Sequence, residues 1–186
     1  MPILGIIASS IPKVTSSYES IATVTVSTAV SSITFSSIPG TFKHLQIRAN
    51  ARTDRSANQF DATLIRLNSD TGSNYVYHRL FGASGTVTSD ASTSQTSGYA
   101  GATMGGGGIA NAFSSFVVDV LDYENTNKNT TLRSLSGREN NDTDGGIVLA
   151  SSLWLNTSAI TSITLRPSAG PNFVQYSSFA LYGIKG

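Results

Sequence analysis

Histidine is the side chain best placed to move protons near neutral pH. This chain has two, His44 and His78. Each stands inside a run of alternating polar and apolar residues, where a lone histidine reads as a surface or cross-strand residue rather than a catalyst. No Gly-x-Ser-x-Gly elbow presents a serine as a nucleophile, and no His-Glu-x-x-His brings two imidazoles onto a metal. Eleven carboxylates are present, but glycoside hydrolysis needs two that converge on one cleft, and no spacing marks such a pair. Asp119 interrupts the apolar run Phe116 to Leu121. A charge there requires a partner, for which Arg133 is the candidate.

Asp142-Thr143-Asp144-Gly145 begins like a calcium loop, yet its twelfth position is Leu153 where a glutamate is required. A turn is the simpler reading. A weak hard-cation site made with Asp122 or Glu124 is the other. The run Gly105 to Gly108 is not followed by Gly-Lys-Ser/Thr, so it is no phosphate cradle. Three Asn-x-Ser/Thr triplets begin at Asn129, Asn141 and Asn156. They matter only in a secretory setting. There is no cysteine, which excludes disulfides and thiolate metal sites. The sequence therefore nominates no catalytic, cofactor-binding or metal-ligating residue, and the expectation is a protein that is not an enzyme.

What remains is recognition and assembly. Tyr75, Tyr77, Tyr99, Tyr123 and Trp154 read in two ways. They line a sugar-binding surface, or they form core and cross-strand pairs. The formal net charge is +1, with no basic block. Nucleic acid is excluded as a partner, because phosphate neutralisation needs clustered Lys and Arg. Residues 1–16 read as an extended arm bracketed by Pro2 and Pro12. Ile3, Leu4, Ile6, Ile7 and Ile11 are its five large aliphatics, with no charge before Lys13. The arm either anchors the protein to a partner or pairs as a first edge strand of its own domain. It lacks the basic start and long apolar core of a signal peptide and is too short to span a bilayer. The expectation is a protein made in the cytoplasm, with no membrane partner.

The elements that would position these residues are strands. Ala22, Val24 and Val26 alternate with Thr23, Thr25 and Ser27; Leu45, Ile47 and Ala49 alternate with polar neighbours on both sides. Period-two patterning with β-branched enrichment predicts half-buried antiparallel strands. Further strands are predicted over about 60–68, 75–81, 113–122, 130–137, 147–155, 160–166 and 173–184. Residues 82–112, rich in Gly, Ser, Thr and Ala, read as one long surface loop with at most a short strand near Tyr99. The count is nine or ten strands and no helix. The predicted fold is all-β: a single antiparallel β-sandwich, jelly-roll-like, over residues 17–186. Its inward residues include Val24, Phe35, Leu45, Ile47, Val118, Val120, Ile163 and Leu181.

Nearly the whole chain outside 82–112 resembles a group of virion proteins of tailed bacteriophages. The resemblance is carried by Tyr18-Glu19-Ser20-Ile21-Ala22-Thr23, Ile33-Thr34-Phe35-Ser36-Ser37-Ile38-Pro39, Phe42-Lys43-His44-Leu45-Gln46-Ile47-Arg48, Asp119 to Lys128, Leu153-Trp154-Leu155-Asn156-Thr157 and Phe179 to Ile184. It implies a structural role on the particle exterior, as capsid decoration, head fibre or tail fibre. It also implies partners among the capsid or tail proteins. The absence of a repetitive shaft favours decoration. The other reading is a receptor-binding module whose segments 82–112 and 138–146 recognise a host surface glycan or protein. Apolar residues on both sides of several strands, with few surface charges, predict self-association, and virion jelly rolls favour a homotrimer.

Overall fold

The strand His44–Ala51 places Leu45, Ile47, Ala49 and Ala51 on a buried face and His44, Gln46, Arg48 and Asn50 on the other. That alternation recurs through a computed structural model, which describes residues 16–186. The arm residues Ile3, Leu4, Ile6, Ile7 and Ile11 lie outside the described residues. Twelve strands follow one another: β1 (Tyr18–Thr25), β2 (Ile33–Phe35), β3 (His44–Ala51), β4 (Phe60–Leu67), β5 (Tyr75–Ala83), β6 (Thr86–Gln95), β7 (Gly98–Met104), β8 (Ser114–Val120), β9 (Thr130–Arg138), β10 (Gly146–Trp154), β11 (Ile163–Pro167) and β12 (Ser178–Ile184). All pair antiparallel, and no helix occurs among the described residues.

The chain is a β-sandwich of unequal sheets. Eight strands run in the order β1-β12-β3-β8-β9-β10-β5-β6, and four in the order β2-β11-β4-β7. Between them lies a core that includes Leu45, Ile47, Ile65, Leu67, Val118, Val120, Ile163 and Leu181. Phe173 and Phe179 meet edge to face at 4.8 Å. Of the inward residues expected from sequence, seven are buried, and Val24 is half-buried against them. One carboxyl group among the described residues sits wholly inside. Asp61 accepts from Thr53 Oγ1 (2.9 Å) and from the backbone N–H groups of Ala62 (2.8 Å), Ala169 (3.1 Å) and Gly170 (2.9 Å). It ties the start of β4 to the loop after β11.

The expected long loop over 82–112 is corrected to structure nearly throughout, which raises the strand count to twelve. β5 and β6 form a hairpin through Ser84-Gly85, both at positive φ (50° and 76°), the backbone of a two-residue turn that matches strand twist. β6 is built from Thr and Ser because it is exposed along both faces. β7, Gly-Tyr-Ala-Gly-Ala-Thr-Met, is small for the opposite reason: all seven residues are buried. A Cβ on Gly101 would lie 2.8 Å from the Phe116 ring carbon Cγ. The glycine run 105–108 is a packed turn. The Gly105 and Gly107 N–H groups donate to Gln59 O (2.8 Å) and Asn58 O (3.0 Å). Arg52 clamps it through the carbonyls of Gly108 (2.8 Å) and Ala112 (3.0 Å).

β7 has no strand partner on one side, and a buried strand edge must satisfy its amides elsewhere. Here Ser152 Oγ accepts from Tyr99 N–H (3.2 Å) and Ser136 Oγ from Ala102 N–H (2.9 Å). Both serines are inward residues of the large sheet, below 4% exposed.

Candidate functional site

Strand geometry sends residues two apart to one face. In β9, Leu132, Ser134 and Ser136 point inward while Leu135 is 51% exposed. In β10, Val148, Ala150 and Ser152 point inward, while Ile147 and Leu149 are 60% and 46% exposed. Ser134, Ser136 and Ser152 are inside while Leu135, Ile147 and Leu149 are outside, the reverse of what a sheet with one wet face shows at those places. The register turns these residues into a stripe. Val117, Leu135, Leu149 and Leu80 form one cross-strand row over β8, β9, β10 and β5. Ser115, Gly137, Ile147, Gly82 and Val87 form the next row. A Cβ on Gly137 or Gly82 would meet nothing nearer than 4.0 Å, so packing within the chain does not demand glycine at either place. The two glycines leave furrows on either side of Ile147.

Beside this stripe the same face is polar. Arg133 Nη2 donates to Asp119 Oδ2 at 3.0 Å, Gln46 Nε2 to Asp119 Oδ1 at 2.8 Å, and Arg48 Nε to Gln46 Oε1 at 2.8 Å. Arg48 also lies between the rings of Tyr18 and Tyr182, 5.7 and 5.5 Å from their centroids. Asp119 thus has the Arg133 partner expected for it, on the outer face of the sheet.

A second feature lies on the inner side, where β5 and β6 extend past the edge of the small sheet. Alternation puts Arg79 in phase with Tyr75, Tyr77 and Phe81, and Arg138 in phase with Leu132, Ser134 and Ser136. Both guanidinium groups therefore point inward, Arg79 on β5 and Arg138 at the last residue of β9. They line a cleft of about 330 Å³ with Phe60, Phe81, Tyr99 and Val148. Arg79 is held by both oxygens of Asp90, its Nε at 2.8 Å from Oδ1, and lies 4.8 Å over the Tyr99 ring. That pairing raises the Arg79 pKa and lowers that of Asp90. Burial pushes the Tyr99 hydroxyl up to about 12. It sits beside the Arg79 guanidinium without a well-formed hydrogen bond. Arg138, 6% exposed, donates from Nη2 to Asp144 Oδ1 at 3.0 Å and packs 5.4 Å over the Phe60 ring. Its Nη1 has no hydrogen-bond partner among the described residues.

The residues singled out in the sequence disperse. His44 Nδ1 accepts the Asp122 N–H at 3.0 Å, and His78 is exposed on β5. Strands β8, β9 and β10 separate their strands, a span of about 19 Å at ~4.8 Å per strand. Of the two readings of the aromatics, core and cross-strand pairing holds for Tyr75, Tyr99, Tyr123 and Trp154, each at most 1% exposed, and they form no exposed sugar surface. Trp154 instead stacks on Tyr75 at 6.4 Å and donates from Nε1 to Asp70 Oδ2 at 2.7 Å. Asp142 accepts from Asp144 N–H (2.7 Å) and Asn140 Nδ2 (2.7 Å), the bonds of a turn. No cluster of three metal-ligating side chains occurs among the described residues. The segments 82–112 and 138–146 do meet: Gly82, Ala83, Arg138, Asp144 and Gly146 all border the cleft. Sequence reading missed its two arginines. The available signal was a charge in the inward phase of a strand.

Fold and surfaces together define an all-β sandwich with an apolar outer stripe and a side cleft. No protein-family model matches the chain, and no curated protein matches it.

Proposed function

We propose that this chain is a non-enzymatic structural protein of the exterior of a tailed bacteriophage particle, of the capsid-decoration or head-fibre type. In this reading it assembles as a homotrimer and is bound to other virion proteins. The observation that carries the assembly is the stripe Val117, Leu135, Leu149, Leu80, whose three leucines are about half exposed. An isolated domain gains nothing by holding leucine outside and serine inside, whereas a second copy gains the apolar area. The resemblance of the strand segments to tailed-phage virion proteins supplies the setting. The N-terminal aliphatics Ile3, Leu4, Ile6, Ile7 and Ile11 supply the attachment to the particle.

A second reading, a tail-fibre or receptor-binding module, is favoured by one observation. The segments 82–112 and 138–146 converge on a cleft lined by aromatic and guanidinium groups. Location separates the two. Immunogold labelling of particles is expected to decorate heads; label on the tail tip would favour the second reading, and unlabelled particles would defeat both. Light scattering of the purified protein is expected to give three times the 19.5 kDa monomer mass. A monomer mass throughout the micromolar range would overturn the trimer.

A further inference from the structure

Arg138 is held in an incomplete state. A guanidinium presents a fork that a carboxylate can fill with two parallel bonds. Asp144 fills only half of it: Nη2 donates to Oδ1 at 3.0 Å, and Nη1 is buried with no partner among the described residues. The two partners differ in freedom. Arg138 is the last residue of β9, 6% exposed and stacked on Phe60. Asp144 is 47% exposed and lies in the turn before β10. The cation is buried and its counter-ion is half exposed in a surface turn, so the anion is the exchangeable member of the pair.

The space beside them has the size and lining of a ligand site. Its volume of about 330 Å³ falls at the small end of such cavities. Phe60 and Phe81, both half-buried, and Val148 line it with Tyr99. The charged residues of its lining are Arg138, Asp144 and Arg79, and the pairing of Arg79 with Asp90 leaves that guanidinium largely occupied.

We propose that this cleft binds a small ligand carrying a carboxylate on a ring, and that the ligand's carboxylate displaces Asp144 from Arg138 and takes both Nη1 and Nη2. The ring then packs on the Phe60 and Phe81 side of the cleft. Aromatic faces accept the C–H face of a sugar or another aromatic ring, so an acidic sugar unit and an aromatic acid share the required chemistry. The site does not depend on the particle in which the protein resides, and it stands or falls separately from the trimer.

The test is titration of the intact ¹⁵N-labelled protein with sodium glucuronate, sodium benzoate and, as a neutral control, glucose. Saturable shifts are expected at the amides of Gly82, Ala83, Arg138 and Gly146 with at least one of the two acids and not with glucose. Glucuronate as the stronger ligand marks an acidic-sugar site, and benzoate as the stronger marks an aromatic-acid site. Asp144→Ala removes the internal competitor and is expected to tighten binding several-fold. Arg138→Met keeps the packing on Phe60, removes the fork and is expected to weaken binding more than tenfold. Because Asp144 is exposed, the Asp144→Ala variant is a valid test even if Arg138→Met fails to fold. Absence of saturable shifts with both acids overturns the proposal, as does unchanged or weaker binding in Asp144→Ala.

Discussion

Leu149→Lys is the substitution that most directly tests the outer stripe. Leu149 sits in the middle of its row, between Leu135 and Leu80, and is 46% exposed. Fully burying a leucine is worth about 1.5–3 kcal/mol, so covering the exposed half contributes roughly 0.7–1.4 kcal/mol per protomer. Lysine forfeits that gain and adds the desolvation of an ammonium group, which has no carboxylate opposite it in this row. The combined effect is expected to weaken association at least tenfold, on the order of 1.4 kcal/mol or more. Stability of the isolated fold should stay within about 0.5 kcal/mol, because the new chain extends into solvent. The contrasting variant is Leu132→Ala on the adjacent strand. Leu132 is 1% exposed, and truncation there should cost about 2–5 kcal/mol. Sedimentation equilibrium gives association, and urea unfolding followed by the fluorescence of Trp154, the single tryptophan, gives stability. Leu149→Lys behaving like Leu132→Ala in urea, or sedimenting like the parent protein, would refute the assignment of that face.

Three further outcomes are expected. Asp61→Asn turns one of two accepting oxygens into a donor: the Thr53 hydroxyl can turn to accept from it, but at least one backbone N–H, that of Gly170, loses its acceptor, and the carboxylate's charge-assisted bonds weaken. Chemical denaturation should show a loss of roughly 2–4 kcal/mol. Gly101→Ala pushes a methyl to 2.8 Å from the Phe116 side chain and should cost about 1–3 kcal/mol by overpacking; a neutral result would mean that β7 lies farther from β8 than described. The third concerns pH. Lys128 and Lys43 hold the Asp122 carboxyl down to about 2, and Arg79 lowers Asp90. A depressed folded-state pKa gives stability that is present above the unfolded value of about 3.9 and is lost as pH falls through the folded value. The melting temperature should therefore drop between about pH 4 and pH 2, with a shallower drop in Asp122→Asn and in high salt.

The sandwich was legible in the sequence where one face of a strand is uniformly apolar. β3 shows this: Leu45, Ile47 and Ala49 against Gln46, Arg48 and Asn50. β9 shows the limit. Leu132 and Leu135 are three apart, so in a strand they must face opposite ways, and the pattern shows that without showing which way the core lies. Ser134 and Ser136 share Leu132's face, and only the position of β7 explains them. The 82–112 segment reads as a loop because Thr, Ser, Gly and Ala are weak strand signals. In β6 that composition reflects exposure on both faces, and in β7 it reflects close approach on both. One-dimensional patterning cannot separate the two cases, since both remove large apolar side chains. The cleft was invisible for a related reason. Arg79 and Arg138 come from strands separated by β10, and their shared inward phase means little until the small sheet is known to stop short of them.

Both surfaces follow from the same mismatch between an eight-stranded and a four-stranded sheet. At about 4.8 Å per strand, four strands cover roughly half the width of eight. The small sheet ends at β7, which lies over β8, β9 and β10 and barely reaches β5. Its free edge needs acceptors, and Ser136 and Ser152 provide them from positions that would otherwise hold aliphatic side chains. Ala150 and Ser134 keep the same region shallow enough for β7 to approach. Apolar area that β9 and β10 cannot place inside is carried outside, at Leu135, Ile147 and Leu149. Past β7, the inner faces of β5 and β6 have no sheet to cover them, so Arg79 can occupy an inward position on β5, and Arg138, the last residue of β9, borders the same cleft. Widening the small sheet by one strand would close the cleft and remove the need for the serines together, which is why the outer stripe and the inner cleft belong to one architectural choice.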